Sequence, residues 1–178
     1  DLVFNDGMGS FERWSESGGV YTSLYPDNYI KAVKNGDGSY TLTTKDQLAM
    51  NFRTDGKLVS EVDRNGVTVN YNYTVGSDLL ESVVSTEGRA FYFDYTGSSD
   101  RQPTSVRENN ETTGPLTQFH YNANRRLDLV TSPTGETQKF NYDGNNRLWQ
   151  MLDPLDKIAV EYTYISSGTY AGLVDTVT

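Results

Sequence analysis

Apolar and polar residues alternate along most of this chain, in short runs separated by turn-forming clusters. The cleanest run is Val67-Thr-Val-Asn-Tyr-Asn-Tyr73, with Val67, Val69, Tyr71 and Tyr73 on one side and Thr68, Asn70 and Asn72 on the other. A period of two is that of a strand with two unlike faces. The pattern returns as Phe91, Phe93 and Tyr95, as Phe119 and Tyr121, as Phe140 and Tyr142, and as Val160, Tyr162 and Tyr164. No stretch keeps a helical period over the length of a helix. The chain is therefore expected to be all-β, an array of antiparallel hairpins.

The runs recur at fixed intervals. Eight residues separate Leu58 from Gly66, Leu80 from Gly88, Leu127 from Gly135 and Leu148 from Asp156. Seven separate Gly66 from Tyr73, Gly88 from Tyr95 and Gly135 from Tyr142, whereas Asp156 reaches Tyr164 over eight. The last hairpin thus carries one additional residue, which predicts a bulge. The copy from Tyr95 to Tyr121 is irregular, with Pro103 in the leucine slot and an expanded turn over 109–114. A period of roughly 20 to 25 residues marks an array of supersecondary units.

Turn chemistry places the bends. Asn35-Gly-Asp-Gly38, Lys45-Asp46 and Asp55-Gly56 read as turns, the last as a two-residue hairpin loop. Gly66, Gly88, Gly135 and Gly144 are the further repeat-turn glycines. Residues 1–38 fit the period poorly. Phe11–Trp14 and Val20–Tyr25 predict strands joined at Gly18-Gly19, and 29–33 predicts another. The expected organisation is a degenerate leading segment, 1–38, followed by one continuous array, 39–178.

Composition narrows the picture. The 178 residues include 13 Tyr and 7 Phe, few branched aliphatics, no Cys and a net charge of −9. Such a chain cannot fill a thick aliphatic core but suits a sheet whose rings cover one another, with tyrosine hydroxyls left wet. The ring series is Tyr71, Tyr73, Phe93, Tyr95, Phe119, Tyr121, Phe140, Tyr142, Tyr162 and Tyr164. The acidic balance disfavours nucleic acid, which needs clustered Lys and Arg, and equally an anionic membrane surface. No apolar run approaches the roughly 18 residues of a membrane span. With no initiating Met and no secretory leader, the chain is expected to be a processed or excised piece of a longer product.

The unit Tyr142-Asp-Gly-Asn-Asn-Arg-Leu148, followed by Asp153-Pro and closing on Tyr164, resembles the YD repeat of the Rhs family. Phe52-Arg-Thr-Asp-Gly-Lys-Leu58 with Asp63-Arg-Asn-Gly66 is an equally good match, and the resemblance covers 39–178. That family includes bacterial polymorphic toxins, the cocoon-forming component of insecticidal Tc toxins and the teneurin adhesion proteins. The resemblance implies a curved, spiralling sheet that winds into a hollow shell, secreted or at the cell surface. In bacterial members the shell encloses a C-terminal toxin domain. An array of this length implies an arc of such a shell, and the Rhs-associated core and self-cleavage segment are not in this sequence.

Candidate chemistry is sparse. His120, the one histidine, falls in the slot that Asn72, Asp94 and Asn141 hold in other copies. It could be a base or metal ligand, but no Ser or Cys nucleophile motif accompanies it, so it reads as a solvent- or lumen-facing polar residue. Asp153 and Asp156 have the look of a glycosidase carboxylate pair, yet they match Ser132 and Gly135 in the repeat and read as turn residues. The Asx/Gly turns lack the full spacing of a calcium loop. Asn72-Tyr-Thr74 and Asn110-Glu-Thr112 are glycosylation sequons.

The expectation is a non-enzymatic structural segment with no cofactor and no bound metal. Its partners would be neighbouring repeats and an enclosed toxin domain. The rival is a carbohydrate- or protein-binding adhesion module that engages a glycan or cell-surface receptor through exposed rings, Trp14 and Trp149 foremost, and an Asn-rich surface. The run Leu173–Val177 reads as a strand without a blocking Lys or Pro, which predicts self-association through a sheet edge.

Overall fold

The computed structural model describes residues 1–5, 11–25, 29–109 and 116–178. The expanded turn over 109–114, apart from Asn109, and the sequon at Asn110 lie outside the described residues. The fold is all-β: among the described residues there are strands and turns and no helix. Strand neighbours follow chain order. One sheet holds the first 3 strands in chain order and the other the remaining 14, with antiparallel pairing between neighbours. The chain divides into two compact units, 1–90 and 91–178.

The first unit opens with β1 (Leu2–Asn5), β2 (Phe11–Ser17) and β3 (Val20–Ser23), the small sheet. Gly18 and Gly19, both at positive φ, turn β2 into β3. The larger sheet begins with β4 (Lys31–Lys34), β5 (Tyr40–Thr43), β6 (Ala49–Phe52), β7 (Leu58–Val62), β8 (Thr68–Tyr73) and β9 (Leu80–Ser85). Asn35–Gly38 is the turn between β4 and β5, so the array's first strand precedes Ser39. β1 escapes sequence reading because its alternation lasts only four residues.

Trp14 is the anchor of this unit. It is 1 % exposed and packs with Ala32, Leu42 and Met50, ringed by Leu2, Phe4, Tyr21, Tyr40 and Phe52. Its indole N–H donates to the Ile30 carbonyl at 3.4 Å. Phe4 meets Phe52 edge-on, centroids 6.0 Å apart, and Tyr21 meets Tyr40 likewise at 6.4 Å. Edge-to-face pairs add about 0.5–1.5 kcal/mol each beyond burial. The small sheet therefore covers the aromatic side of β5 and β6. The assignment of Trp14 to a sugar-stacking surface is corrected here: a ring closed on all sides has no face to offer a ligand.

The second unit contains β10 (Ala90–Tyr95) from Phe91 onward, β11 (Pro103–Glu108), β12 (Leu116–Tyr121), β13 (Leu127–Thr131), β14 (Thr137–Tyr142), β15 (Leu148–Leu152), β16 (Ile158–Tyr164) and β17 (Val174–Val177). The foreseen bulge between β15 and β16 is present: Met151 pairs with Val160 and Leu152 with Ile158, leaving Ala159 over.

A second bulge recurs at the repeat boundary. Phe52 pairs with Leu58, Tyr73 with Leu80, Tyr95 with Pro103, Tyr121 with Leu127 and Tyr142 with Leu148, each beside a one-residue register shift. Pro103 thus occupies the leucine slot. The shift leaves Val59, Glu81, Thr104, Asp128 and Trp149 as the additional residues.

One turn geometry serves nearly every hairpin. At Arg53–Lys57 the Gly56 N–H donates to the Arg53 carbonyl and the Arg53 N–H to that of Lys57. Positive φ falls on Gly56 and not on Asp55. This is a three-residue loop, a type I turn closed by a left-handed residue, which corrects the two-residue reading of Asp55-Gly56. The same bonds recur from Asn35, Thr44, Asp63, Ser85, Asn122, Ser132, Asp143 and Asp153. The left-handed slot holds Gly66, Gly88 and Gly135, but also Gln47, Arg125, Asn146 and Asp156. In the turn from Asp143, Asn146 and not Gly144 takes it, so Gly144 meets no backbone requirement.

Candidate functional site

The ten predicted rings are all half-buried. Their hydroxyls are not left wet where the repeat closes. Tyr73 donates to the Leu58 carbonyl at 2.8 Å, Tyr121 to Pro103 at 3.0 Å and Tyr142 to Leu127 at 2.6 Å, and Tyr164 does the same to Leu148. Each acceptor is the leucine slot of the preceding boundary, where the bulge disrupts the ladder. Burial holds the phenols of Tyr73, Tyr121 and Tyr142 above the ordinary tyrosine range. Tyr71 instead donates to Glu61 at 3.0 Å, and its phenol is pushed up to about 12, by burial first and that bond second.

The residue before the leucine slot covers the same ring. Lys57 lies 5.0 Å from the Tyr73 centroid, and Arg147 lies 4.1 Å from that of Tyr164. A cation over a ring face is favourable by about 0.5–1 kcal/mol at exposed sites. The motif Tyr-Asp…Arg-Leu thereby gains a physical reading. The Asp opens the turn, and the cation before the leucine slot covers the ring of the tyrosine that closes the unit, Tyr73 or Tyr164, whose hydroxyl bonds the leucine-slot carbonyl. The Asp143 carboxylate accepts from the Asn145 and Arg147 N–H groups, both at 2.9 Å, and pairs with the Arg147 guanidinium. That pairing holds its carboxyl below the usual range.

The first unit elaborates the motif into a charge cluster. Arg53 pairs with Asp55 and with Asp78, the latter at 2.9 Å, and Lys57 also pairs with Asp78. The Arg53 bond brings the Asp55 carboxyl down to about 2. Every cation here has its anion, so the cluster braces the loop after β8 against the turn before β7.

The opposite side of the sheet carries a bonded polar row. Asn51 donates to Ser60 and Asn72 to Ser82, each at 3.0 Å. Ser105 donates to Asp94 at 2.6 Å, and Gln150 to Glu161 at 2.8 Å. Ser82, Ser105 and Gln150 are only 5–7 % exposed, so much of the Asn-rich side is occupied internally. The Asn72 sequon amide is committed to Ser82.

His120 sits in the expected slot, opposite Leu129. That partner is apolar, so the ring turns to the bulge residue: Nδ1 lies 2.6 Å from Asp128 Oδ1, with the His side chain 67 % exposed. It lines an open cleft of about 310 Å³ with Asp100, Gln102, Phe119, Tyr121 and Arg125. Among the described residues no hydroxyl or thiol is bonded to the ring. Asp153 accepts the Leu155 and Lys157 N–H groups at 2.9 Å, and Asp156, at φ 59°, pairs with Lys139 at 2.6 Å. The repeat geometry accounts for both carboxylates. Among the described residues no three His, Cys, Asp or Glu side chains gather to hold a metal. Trp149 is the exposed ring of the pair, at 43 %. The chain matches no protein-family model and no curated protein sequence.

The hydroxyl-to-carbonyl bonds are what sequence reading missed. Part of their signal was present in the interval between leucine slot and closing tyrosine, fifteen residues for Leu58 to Tyr73 and Leu127 to Tyr142, against sixteen for Leu148 to Tyr164 and eighteen for Pro103 to Tyr121.

Proposed function

We propose that the chain is a non-enzymatic structural segment of a secreted or surface protein of the Rhs/YD type, contributing to a hollow β-shell that encloses or presents a toxin or effector domain. The observation that carries this reading is the repeated tyrosine lock. The residues that make the sequence resemble the YD repeat are the ones that tie the two strands of a hairpin together, Tyr73 to Leu58, Tyr121 to Pro103, Tyr142 to Leu127 and Tyr164 to Leu148. Sequence motif and structural device coincide, and His120, Asp153 and Asp156 are used within the same framework.

The test is on the complete gene product. Its reading frame should encode further units of this spacing and a domain without the repeat. That domain should resist protease in the intact protein and lose the resistance when residues 39–178 are deleted. A frame without further units, or a hydrolytic turnover abolished by His120→Ala, would overturn the reading. The exposed indole of Trp149 favours a second reading, a glycan- or protein-contacting module. A glycan-array signal lost in Trp149→Ala would establish it.

A further inference from the structure

Val174 holds a leucine slot. It pairs with Tyr164 across a register shift, and Asp175 is the additional residue, as Asp128 and Trp149 are at earlier boundaries. The Ile165 N–H donates to the Leu173 carbonyl just as the Asn122 N–H donates to that of Arg126, the residue before Leu127. Val174–Thr178 is therefore the counterpart of Leu127–Thr131. At Leu58, Pro103, Leu127 and Leu148 the carbonyl of this slot receives a tyrosine hydroxyl from the strand on the far side.

Among the described strands β17 has a neighbour on one side, β16. Glu161 and Thr178 exchange both backbone bonds, so alternation along an antiparallel pair turns the N–H and C=O of Val177 outward. Natural proteins guard such edges with Lys, Pro or short strands. β4, which ends the strand order at the other extreme, carries Lys31 and Lys34. β17 carries the single charge of Asp175, and Leu173, Val174 and Val177 are exposed.

We infer that the outer edge of β17 is a strand-accepting site whose occupant is an antiparallel strand of this repeat's own type, ending on a tyrosine whose hydroxyl reaches the Val174 carbonyl. Backbone bonds along the edge supply the attachment, and the tyrosine sets the register, as in strand addition to other sheet edges. A second copy of β17 fits less well, since Val174–Val177 contains no tyrosine and self-pairing brings two Asp175 side chains near one another. The inference rests on the repeat geometry and does not require a shell.

The experiment extends the full chain beyond Thr178 with a copy of its own residues 132–142, so that Thr178 plays the part of Thr131. Amide exchange at Val177 should slow by about tenfold or more as the edge closes. The Tyr142→Phe form of the copied segment should forfeit about fivefold of that protection, the worth of one hydrogen bond. The same segment as a free peptide, given to the unmodified chain, should shift the Val177 amide resonance, and its Phe form should do so more weakly. Unchanged exchange at Val177, equal protection by the Tyr and Phe forms, or an unextended chain that sediments as a dimer with Val177 already protected would each overturn the inference. Further repeats in the reading frame with no protection at Val177 would remove this inference alone. Protection without further repeats would remove the shell reading alone.

Discussion

At the scale of single residues, tyrosine is used for both ends of its side chain. The ring supplies half-buried apolar surface, and the hydroxyl satisfies a carbonyl that the bulge takes out of the ladder. Tyr142→Phe keeps the ring and removes the bond to Leu127. It should cost about 0.5–1.5 kcal/mol, read as a lower urea midpoint with an unchanged slope. Tyr71 offers a test by pH. Its phenol is raised from 10.0 to about 12, so folding favours the neutral form. The stability this contributes is fully present below pH 10 and is lost as pH climbs through about 12. Tyrosinate absorbance should show a late step near 12 that is missing in Tyr71→Phe. A Tyr71 that ionises with the exposed tyrosines would contradict the Glu61 contact.

At the scale of elements, the hairpin turn carries the repeat. Its opening residue offers a side-chain oxygen to the loop's own N–H groups, as Asp63 does to Asn65 and Val67 at 2.8 Å. Its third loop residue must adopt positive φ. A left-handed conformation costs an L-residue about 1–2 kcal/mol, so glycine is favoured and the other residues found there are tolerated at a cost. Gln47, exposed at φ 68°, is the simplest case: Gln47→Gly should raise stability by up to about 1 kcal/mol. Gly66→Ala should lower it by about 1–2 kcal/mol, although nothing lies within 4 Å of the new methyl. Thermal melts of both variants check the pair, and opposite signs are the expected result. A loss in Gly66→Ala larger than this would point to packing that the open surroundings of the turn do not contain.

At the scale of the whole molecule, the units differ in how their aromatic sides are held. Between Trp14 and Met50 the first unit has a closed core, with the small sheet laid over the larger one. In the second, the buried ones among the described residues are Ser105 and Gln150, and the rings of the repeat series are half-buried. Trp14→Ala should therefore cost about 3–5 kcal/mol, whereas Trp149→Ala should stay within about 0.5–1 kcal/mol. Chemical denaturation followed by circular dichroism compares them. Similar losses in the two variants would mean that Trp149 is packed more closely than its exposure allows.

Alternation, spacing and turn chemistry were legible in the sequence, because each depends on φ preferences and side-chain period over a few residues. They were enough to specify strands, hairpin order, Pro103 in the leucine slot and the additional residue in the last hairpin. The turn roles of Asp153 and Asp156, and the slot of His120, followed from aligning one copy with the next. What the tertiary structure decided was the set of partners that come from elsewhere in the chain. Whether Trp14 is covered depends on where a second sheet lies, and no local pattern encodes that. The destination of each tyrosine hydroxyl depends on a bulge in the adjacent strand. Which residue of a turn takes positive φ depends on loop length, which is why Asn146 holds the slot with Gly144 two residues away. His120 turns to Asp128, since the Leu129 side chain opposite it offers no acceptor, and that pairing exists only once the register is set.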